Sequence, residues 1–141
     1  MRYLLDTNVV SEAWKPSPNE SVERWMAQNS EECALSVITL AELDYGMHML
    51  PFGKRRSLLQ KHIEFLREDF WDAIIGFNFP EATAWSEYAA EVTSEHTKKF
   101  WNARTIRDSA LAATARAWSL ILVTRDTGHF PFVETFNPFL G

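Results

Sequence analysis

The opening of the chain carries the feature that most constrains its fold. A short apolar run at residues 2–5 stops at Asp6, and the small polar residues Thr7 and Asn8 follow it directly. A continuous apolar run of this length is typical of a strand buried on both faces of a parallel sheet. A carboxylate at the end of such a strand is partly desolvated, so it must find a metal ion, a hydrogen-bond donor or a proton. We therefore expect Asp6 to be the anchor of an active site.

Strand-like and helix-like segments alternate along the rest of the chain. This alternation predicts an α/β fold, in which a central parallel sheet is flanked by helices joined through right-handed crossovers. The most apolar run, at 120–124, is the expected central strand. With 141 residues and no Gly/Ser-rich linker, residues 1–141 are expected to form a single domain. The other predicted strands lie at 2–5, 33–36, 73–77 and 133–136, and the predicted helices lie at 7–14 (a short helix or turn), after a capping box at 17–20, at 37–49, at 54–68, from Pro80 onward and at 105–118.

Charge and cysteine content narrow the functional classes. The net charge of −5 disfavours a general electrostatic nucleic-acid binder, which would be basic. If four acids share one metal site, the charge left after removing four from −5 is only about −1, so a nucleic-acid substrate stays open. The single cysteine, Cys33, excludes an internal disulfide and favours a reducing compartment. No signal peptide or membrane-length apolar run is recognisable, so we expect a cytoplasmic protein without a membrane partner.

Four acidic residues from distant stretches are expected to converge at one edge of the sheet. Asp6 ends the first strand, and Asp126 follows the predicted central strand by two residues. Glu42 lies in the first part of the helix after the second strand. Asp108 lies in the first turn of the alanine-rich helix, where the helix dipole favours an acid. Because ligands of parallel α/β sheets bind beyond the carboxyl ends of the strands, this edge is the expected site.

Each acid also has an ordinary structural interpretation. Asp108 is equally suited to starting a helix, Glu42 to a solvated helix position and Asp126 to a turn. As a set they repel, since two unit charges ~4 Å apart cost about 1 kcal/mol at water-like screening and about 4 kcal/mol near a protein surface. A divalent cation removes that conflict, and a site of acids without His or Cys suits Mg²⁺ or Mn²⁺. Such ions, one or two of them, support phosphodiester cleavage.

Four stretches of the chain, in order and running nearly end to end, resemble the motifs of PIN-domain ribonucleases of the VapC type, which are found as bacterial toxins. The stretches are 4–12 (LLDTNVVSE), 36–43 (SVITLAEL), 107–115 (RDSALAATA) and 122–126 (LVTRD). The Asn-Pro-Phe at 137–139 is similar to the usual ending of that family.

The resemblance implies a Rossmann-like PIN domain and Mg²⁺- or Mn²⁺-dependent cleavage of RNA. It implies an acidic set with Asp6 and Asp108 foremost among the metal ligands, and a second group of residues that orient carboxylates or water. It also implies a homodimer, a partner antitoxin that restrains the ribonuclease, and a hetero-oligomer of toxin with antitoxin. By motif position, the acidic set is Asp6, Glu42, Asp108 and Asp126, and the orienting group is Thr7, Asn8 and Thr124.

The chain departs from the family pattern at two places. The family often carries an acid where His129 stands. Three interpretations of His129 are open: a contact to phosphate, a weaker or altered metal site, and an ordinary solvated loop residue. Residues 100–104 replace the glycine usual before Asp108, and their aromatics are candidates for contacts with substrate or partner. The basic candidates for phosphate contacts, for each of which a solvated surface role is as good an interpretation, are Arg104, Arg107, Arg125 and His129, followed by Lys98, Lys99 and Arg116.

Several apolar side chains have expected roles outside the acidic set. Trp14 and Trp101 are candidates for stacking on RNA bases. Trp25, Trp85 and Trp118 are expected in the core or a dimer interface. Met47, Met49 and Leu50 are expected to contribute to a groove for a dimer partner or an antitoxin helix.

Two other functional classes also have acids or a fold of this kind. A phosphorylation receiver needs an acceptor aspartate after a middle strand and a lysine after a later one. The strand at 73–77 ends in no acid and Thr124-Arg125-Asp126 contains no lysine, which disfavours a receiver. The alternative that stays open is a PIN-fold binding or regulatory protein with weak or lost nuclease activity, for which His129 is the only support.

Overall fold

The computed structural model describes the backbone of residues 1–96 and 103–141, and the side chains of residues 1–93 and 105–141. Strands and helices alternate in it as the sequence predicts. They are β1 (Tyr3–Leu5), α1 (Thr7–Glu12), α2 (Glu20–Asn29), β2 (Cys33–Ser36), α3 (Val37–His48), α4 (Lys54–Asp69), β3 (Ile74–Ile75), α5 (Phe79–His96), α6 (Ala103–Ala117), β4 (Ile121–Val123) and β5 (Thr135–Phe136). Short 3₁₀ turns lie at Ser30–Glu32, Thr127–His129 and Pro138–Leu140.

The five strands form a parallel sheet in the order β3-β2-β1-β4-β5. In this sheet Leu4 of β1 pairs with Ala34 of β2 on one side and with Leu122 of β4 on the other. The predicted α/β fold with a central parallel sheet is confirmed. The strand predicted as central, β4, lies inside the sheet but beside β1, which takes the middle position. Since every strand runs in the same direction, the residues that follow β1 and β4 emerge at the same edge.

Two apolar layers enclose the sheet, one on each face. Leu5 and Leu35 point into a core shared with α1 to α4, whereas Leu4 and Leu122 point into a core shared with α5 and α6. This two-sided burial is the reason why the strands read as continuous apolar runs. The alanines of α6 are buried, and side chains this small let the helix backbone approach the sheet closely.

Helix α2 begins two residues later than the sequence predicts. The expected capping box placed Ser17 at the N-cap and Pro18 at the first helical position, but the structure has Asn19 as the N-cap. The Asn19 side-chain oxygen accepts hydrogen bonds from the backbone N–H groups of Ser21 and Val22 at 2.9 and 3.2 Å. The prediction was wrong because Asn is as good a cap as Ser, and local sequence does not choose between them.

Helix α6 begins earlier than predicted, at Ala103 instead of Thr105. Asp108 therefore lies in the second turn, and no acid occupies the first turn. The helix-dipole argument for Asp108 no longer applies, since that effect decays within the first turn. The position of Asp108 has to be explained by what it faces.

None of the helices in the described ranges is both long and apolar enough to cross a membrane.

Candidate active site

Asp6 is fixed at the carboxyl edge of the sheet by its own backbone and by the helix that follows. Its N–H donates to the carbonyl of Val123 on β4 at 2.9 Å, so the sheet ladder continues to this residue. Its side chain caps α1, with Oδ1 accepting from the Thr7 N–H at 2.7 Å. Cap geometry turns the chain sharply out of the strand and leaves Oδ2 facing the cleft above β1 and β4.

Thr124 and Asn8 join Asp6 to Asp126. The Thr124 hydroxyl donates to Asp6 Oδ2 at 2.8 Å and accepts from the Asp126 N–H at 3.0 Å. The Asn8 amide nitrogen lies 3.3 Å from Asp6 Oδ2 and 3.2 Å from Asp126 Oδ2. Two carboxylates from opposite ends of the chain are thus held side by side by neutral donors.

The orientation of the Asn8 amide follows from its other neighbour. The Arg125 backbone N–H, which can only donate, lies 3.1 Å from Asn8 Oδ1. The oxygen must therefore face Arg125, so the NH₂ group faces the two carboxylates. Asn137 supports the same loop, because its amide nitrogen donates to the Arg125 carbonyl at 3.4 Å. The Asn-Pro-Phe ending of the chain thus helps to hold the loop that carries Asp126.

Glu42 reaches the same cleft from α3. The Ser36 side chain caps this helix by accepting from the Ile38 N–H at 3.0 Å, which aims α3 across the sheet edge. Glu42 Oε2 accepts from the Thr7 hydroxyl at 3.1 Å, and Glu42 Oε1 lies 3.7 Å from Arg107 Nη1. Both carboxylate oxygens thus face a donor in this conformation.

Asp108 faces His129 across the cleft. The distance from Asp108 Oδ2 to His129 Nδ1 is 4.0 Å, which is a charge contact rather than a hydrogen bond. His129 belongs to the 3₁₀ turn that follows Asp126, so the fourth motif presents both an acid and an imidazole to this cleft. The residue that departs from the family pattern therefore lies beside one of the predicted metal ligands.

These side chains line an open cleft of about 370 Å³. The structure brings all four predicted acids to it, together with four of the predicted auxiliary residues, Thr7, Asn8, Arg107 and His129. Ser11 and Phe130 were not predicted as site residues. A signal for Ser11 exists, because it follows Thr7 by one helical turn and donates to the Thr7 carbonyl at 2.9 Å. The lining residues are Asp6, Thr7, Asn8, Ser11, Glu42, Arg107, Asp108, Asp126, His129 and Phe130.

Other predicted contact residues lie elsewhere. The Arg125 guanidinium covers the ring of Phe139 at 3.9 Å, and Arg116 pairs with Glu91. Trp14 stacks on His62 at 5.0 Å beside the core, so its predicted role in RNA stacking has no geometric support. The side chain of Arg104, and Lys98, Lys99 and Trp101, lie outside the described residues.

The predicted core roles of the aromatic and methionine residues hold in part. Trp25 and Trp85 pack against the two cores, but Trp118 is exposed beyond the end of α6. Met47 is buried in the core, so it cannot line a partner groove, whereas Met49 is 67% exposed.

The cleft perturbs the ionisation of Asp6. Burial raises the pKa of its carboxyl above the ordinary value of 3.8, and repulsion from Glu42 and Asp126 adds to the rise. Hydrogen bonds from the Thr124 hydroxyl and the Thr7 N–H oppose it by favouring the charged form. A positive charge in the cleft would therefore favour the ionised form of Asp6.

The donor set suits a hard divalent cation. Its oxygen donors are carboxylates supported by hydroxyl and amide groups, and one imidazole, that of His129, also lines the cleft beside Asp108. Within the described ranges, no three His, Cys, Asp or Glu side chains are gathered closely enough to form a ready-made metal site. Mg²⁺ does not require one, since it is usually bound through one or two carboxylates and keeps several waters. Asp6 and Asp126 already provide two such oxygens side by side.

Comparison with known proteins agrees with this geometry. The model of the PIN domain family matches residues 3–133. Toxin FitB of Neisseria gonorrhoeae is 38% identical over 139 residues, covering 96% of each chain. The VapC ribonuclease Y4jK of Sinorhizobium fredii is 37% identical over the same length and coverage. The crystal structure of FitAcB from Neisseria gonorrhoeae superposes with a TM-score of 0.83 at 37% identity, covering 97% of this chain and 98% of the other.

The fold and the site thus define the class of protein: a parallel α/β domain with a carboxylate-lined cleft at the carboxyl edge of its sheet. The chain belongs to the PIN domain family, as the resemblance of its four motifs implies.

Proposed function

We propose that this protein is a metal-dependent endoribonuclease and the toxin of a toxin–antitoxin pair, built as a single PIN domain over residues 1–141 and acting in the cytoplasm. The observation that carries the proposal is the convergence of Asp6, Glu42, Asp108 and Asp126 on one cleft. Relatives named as a VapC ribonuclease and as Toxin FitB, each matched over 96% of its length, support the same activity.

The four carboxylates are the residues that would hold Mg²⁺ or Mn²⁺. The Asn8 amide donates to both Asp6 and Asp126 and so joins them. Glu42 and Asp108 approach the same cleft from α3 and α6. When bound, a divalent ion supplies an activated water and stabilises charge on the leaving oxygen. The hydroxyl groups of Thr7 and Thr124 and the amide of Asn8 would fix the carboxylates that face it.

The reaction is hydrolysis of a phosphodiester bond. A water molecule loses a proton as its oxygen bonds to phosphorus, the bond from phosphorus to the leaving ribose oxygen breaks, and the leaving oxygen takes up a proton. In this proposal Arg107 and His129, which line the cleft, contact the RNA phosphates, and Arg104 and Arg125 extend the basic rim if their side chains turn towards it. The carboxylates repel the RNA backbone until a cation offsets their charge, so binding as well as chemistry should need the metal.

The test is RNA cleavage by purified protein with Mg²⁺ or Mn²⁺, with and without a chelator, against structured and single-stranded RNAs. Asp6→Asn should abolish metal-stimulated cleavage, because it removes a carboxylate charge from the cleft while keeping the helix cap. Asp72→Asn is the matched control, since Asp72 is exposed and lies outside this cleft.

Normal cleavage by Asp6→Asn, or cleavage that survives the chelator, would overturn the proposed mechanism. Absence of metal-stimulated cleavage by the wild-type protein would favour the alternative, a PIN-fold binding or regulatory protein, with His129 beside Asp108 as the departure responsible.

We also propose an antitoxin as protein partner, docked on an apolar groove between α1, α2 and α4. The groove encloses about 440 Å³ and is lined mainly by aliphatic and aromatic side chains, together with the exposed acids Glu23 and Asp69. An apolar floor with an acidic rim is complementary to an amphipathic helix that carries basic residues.

A pair of substitutions on α4 tests this docking surface. Phe65 lines the groove and is 69% exposed, so Phe65→Glu should fold normally but weaken antitoxin binding by roughly tenfold or more. Leu58 is 55% exposed on the same helix and does not line the groove, so Leu58→Glu is the control. Equal affinity of both variants for a co-expressed antitoxin, measured by calorimetry, would place the partner elsewhere.

The proposed homodimer has a different candidate surface. Tyr45 lies in the last turn of α3 and Met49 directly follows the helix, and they are 62% and 67% exposed; Phe52, three residues further on, is 88% exposed. Exposed apolar residues gathered in this way are typical of protein interfaces. Light scattering should show a dimer for the wild type. For Met49→Glu it should show a shift towards monomer.

A further inference from the structure

Arg107 occupies an unusual position for a basic residue predicted to bind RNA. Its guanidinium reaches from α6 into the carboxylate cleft, where Nη1 lies 3.7 Å from Glu42 Oε1. The Arg107 side chain is 46% exposed and that of Glu42 is 32% exposed, so the pair sits at the mouth of the cleft. The guanidinium is thus beside a proposed metal ligand, where it contributes positive charge to an otherwise repulsive set.

This position makes Arg107 a substitute for part of the metal charge. The acids that line the cleft repel one another when they are all ionised. A cation that pairs with Glu42 reduces this repulsion in the absence of a metal ion. The second Glu42 oxygen accepts from the Thr7 hydroxyl, so both oxygens are engaged before any metal arrives.

A divalent ion and the Arg107 guanidinium cannot both sit against Glu42 without strong repulsion between them. The pair is loose, because 3.7 Å exceeds a good hydrogen-bond distance, and half-exposed arginine side chains reorient readily. Entry of the ion therefore favours movement of the guanidinium away from Glu42. The mouth of the cleft, where the scissile phosphate of a bound RNA must pass, is within reach of the same side chain.

We infer that Arg107 is the counter-cation of Glu42 in the metal-free cleft and moves to an RNA phosphate when a divalent ion takes its place. This inference rests on the proposed function and specifies the order in which metal and substrate act on Arg107. Arg107 opposes metal binding before substrate arrives and assists substrate binding afterwards. It makes Arg107 a substrate-positioning residue, coupled to metal loading through Glu42.

The first measurement is Mn²⁺ binding to the full chain by calorimetry, in the absence of RNA. Arg107→Gln removes the competing charge, so it should bind Mn²⁺ roughly two- to fivefold more tightly than wild type, the range expected for a partly exposed ion pair. Arg107→Lys keeps a charge in reach of Glu42 and should stay near the wild-type affinity.

The second measurement is cleavage of a labelled mixed-sequence single-stranded RNA at saturating Mn²⁺. Arg107→Gln should raise KM about three- to tenfold with a smaller change in kcat, because one charged phosphate contact is lost. The dependence of log KM on log salt should also become shallower, by about 0.7 for one phosphate contact with a single strand.

Arg116→Gln is the matched control, since it removes the same charge from the same helix. Arg116 pairs with Glu91 and does not line the cleft, so neither Mn²⁺ affinity nor the salt slope should change beyond a small general effect. Thermal melting of each variant in chelator checks that the fold is retained.

If the wild type binds Mn²⁺ and cleaves RNA but Arg107→Gln binds Mn²⁺ no more tightly, the inference is overturned. The proposed function then stands. Tighter Mn²⁺ binding with an unchanged KM and salt slope overturns the transfer of Arg107 to phosphate. Wild-type protein that neither binds Mn²⁺ nor cleaves RNA refutes the proposed function and this inference with it.

Discussion

Asp6→Asn should have opposite effects on stability with and without a divalent metal. The substitution keeps the shape of the side chain and the cap of α1, since Asn and Asp are equally good N-caps. It removes one negative charge from a cleft where burial and two neighbouring acids already raise the pKa of Asp6. Without a cation that charge is a cost to the folded state, so its removal should stabilise the metal-free protein.

The magnitude follows from the shared amide of Asn8. Its nitrogen lies 3.3 Å from Asp6 Oδ2 and 3.2 Å from Asp126 Oδ2, so the two oxygens are at most the sum of these distances, about 6.5 Å, apart. Unit charges at that separation repel by about 0.6 kcal/mol with water-like screening and about 2.5 kcal/mol at an effective dielectric of 20. The cleft is open, and the hydrogen bonds that Asp6 Oδ2 accepts from Asn8 and Thr124 are lost, so a net gain of at most about 1 kcal/mol is expected. For a chain of this size that corresponds to a rise in Tm of roughly 3 °C.

Thermal melting in chelator and in Mn²⁺ provides the assay. At a Mn²⁺ concentration 100 times Kd, the wild type should gain about 2.7 kcal/mol of stability from binding. Asp6→Asn should gain much less, because it has lost a ligand. The order of the two melting temperatures should therefore reverse between chelator and Mn²⁺.

Two outcomes would refute this reasoning. One is a loss of stability by Asp6→Asn in chelator, which would mean that the Asp6 charge stabilises the metal-free fold. The other is an equal Mn²⁺ shift in both proteins, which would place the metal away from Asp6. Asp72→Asn makes the same change in charge outside the cleft, so its melting temperature should equal that of the wild type in both conditions.

Two further predictions concern the same cleft. Asn8→Ala removes the amide that joins Asp6 to Asp126, so it should lower cleavage or Mn²⁺ affinity by roughly ten- to a hundredfold while circular dichroism stays native; wild-type activity would show that the amide is dispensable. The pH dependence follows from the raised pKa of Asp6. The folded state holds this proton more tightly than the unfolded state, so the contribution of Asp6 to metal-free stability is fully present below the ordinary pKa of 3.8 and is lost as pH rises through the raised folded value. Mn²⁺ affinity needs the ionised form and should rise over the same window; an affinity that falls as pH rises there would contradict the assignment.

The sequence predicted the strands well because each is specified locally. Burial on both faces leaves a strand as a short apolar run, and β1 and β2 were located to within a residue from that pattern alone. The acid at the end of β1 is informative for the same reason, since few structural roles place a carboxylate there. Helix boundaries were less well predicted, as the start of α2 shows, because several residues near it are acceptable caps.

By itself, the sequence determined that this protein has a parallel α/β fold, that four acids approach the carboxyl edge of its sheet, and that its motifs are those of the PIN domain family. Only the tertiary structure decided how those acids are partnered. Asn8 meets Asp126 across 118 positions of sequence, because β1 lies next to β4 in the sheet. Arg107 meets Glu42 because α6 and α3 present these side chains to the same cleft. No local pattern encodes strand order or the rotation of one helix against another, so these pairings, which set the charge and metal affinity of the site, appear only in the folded chain.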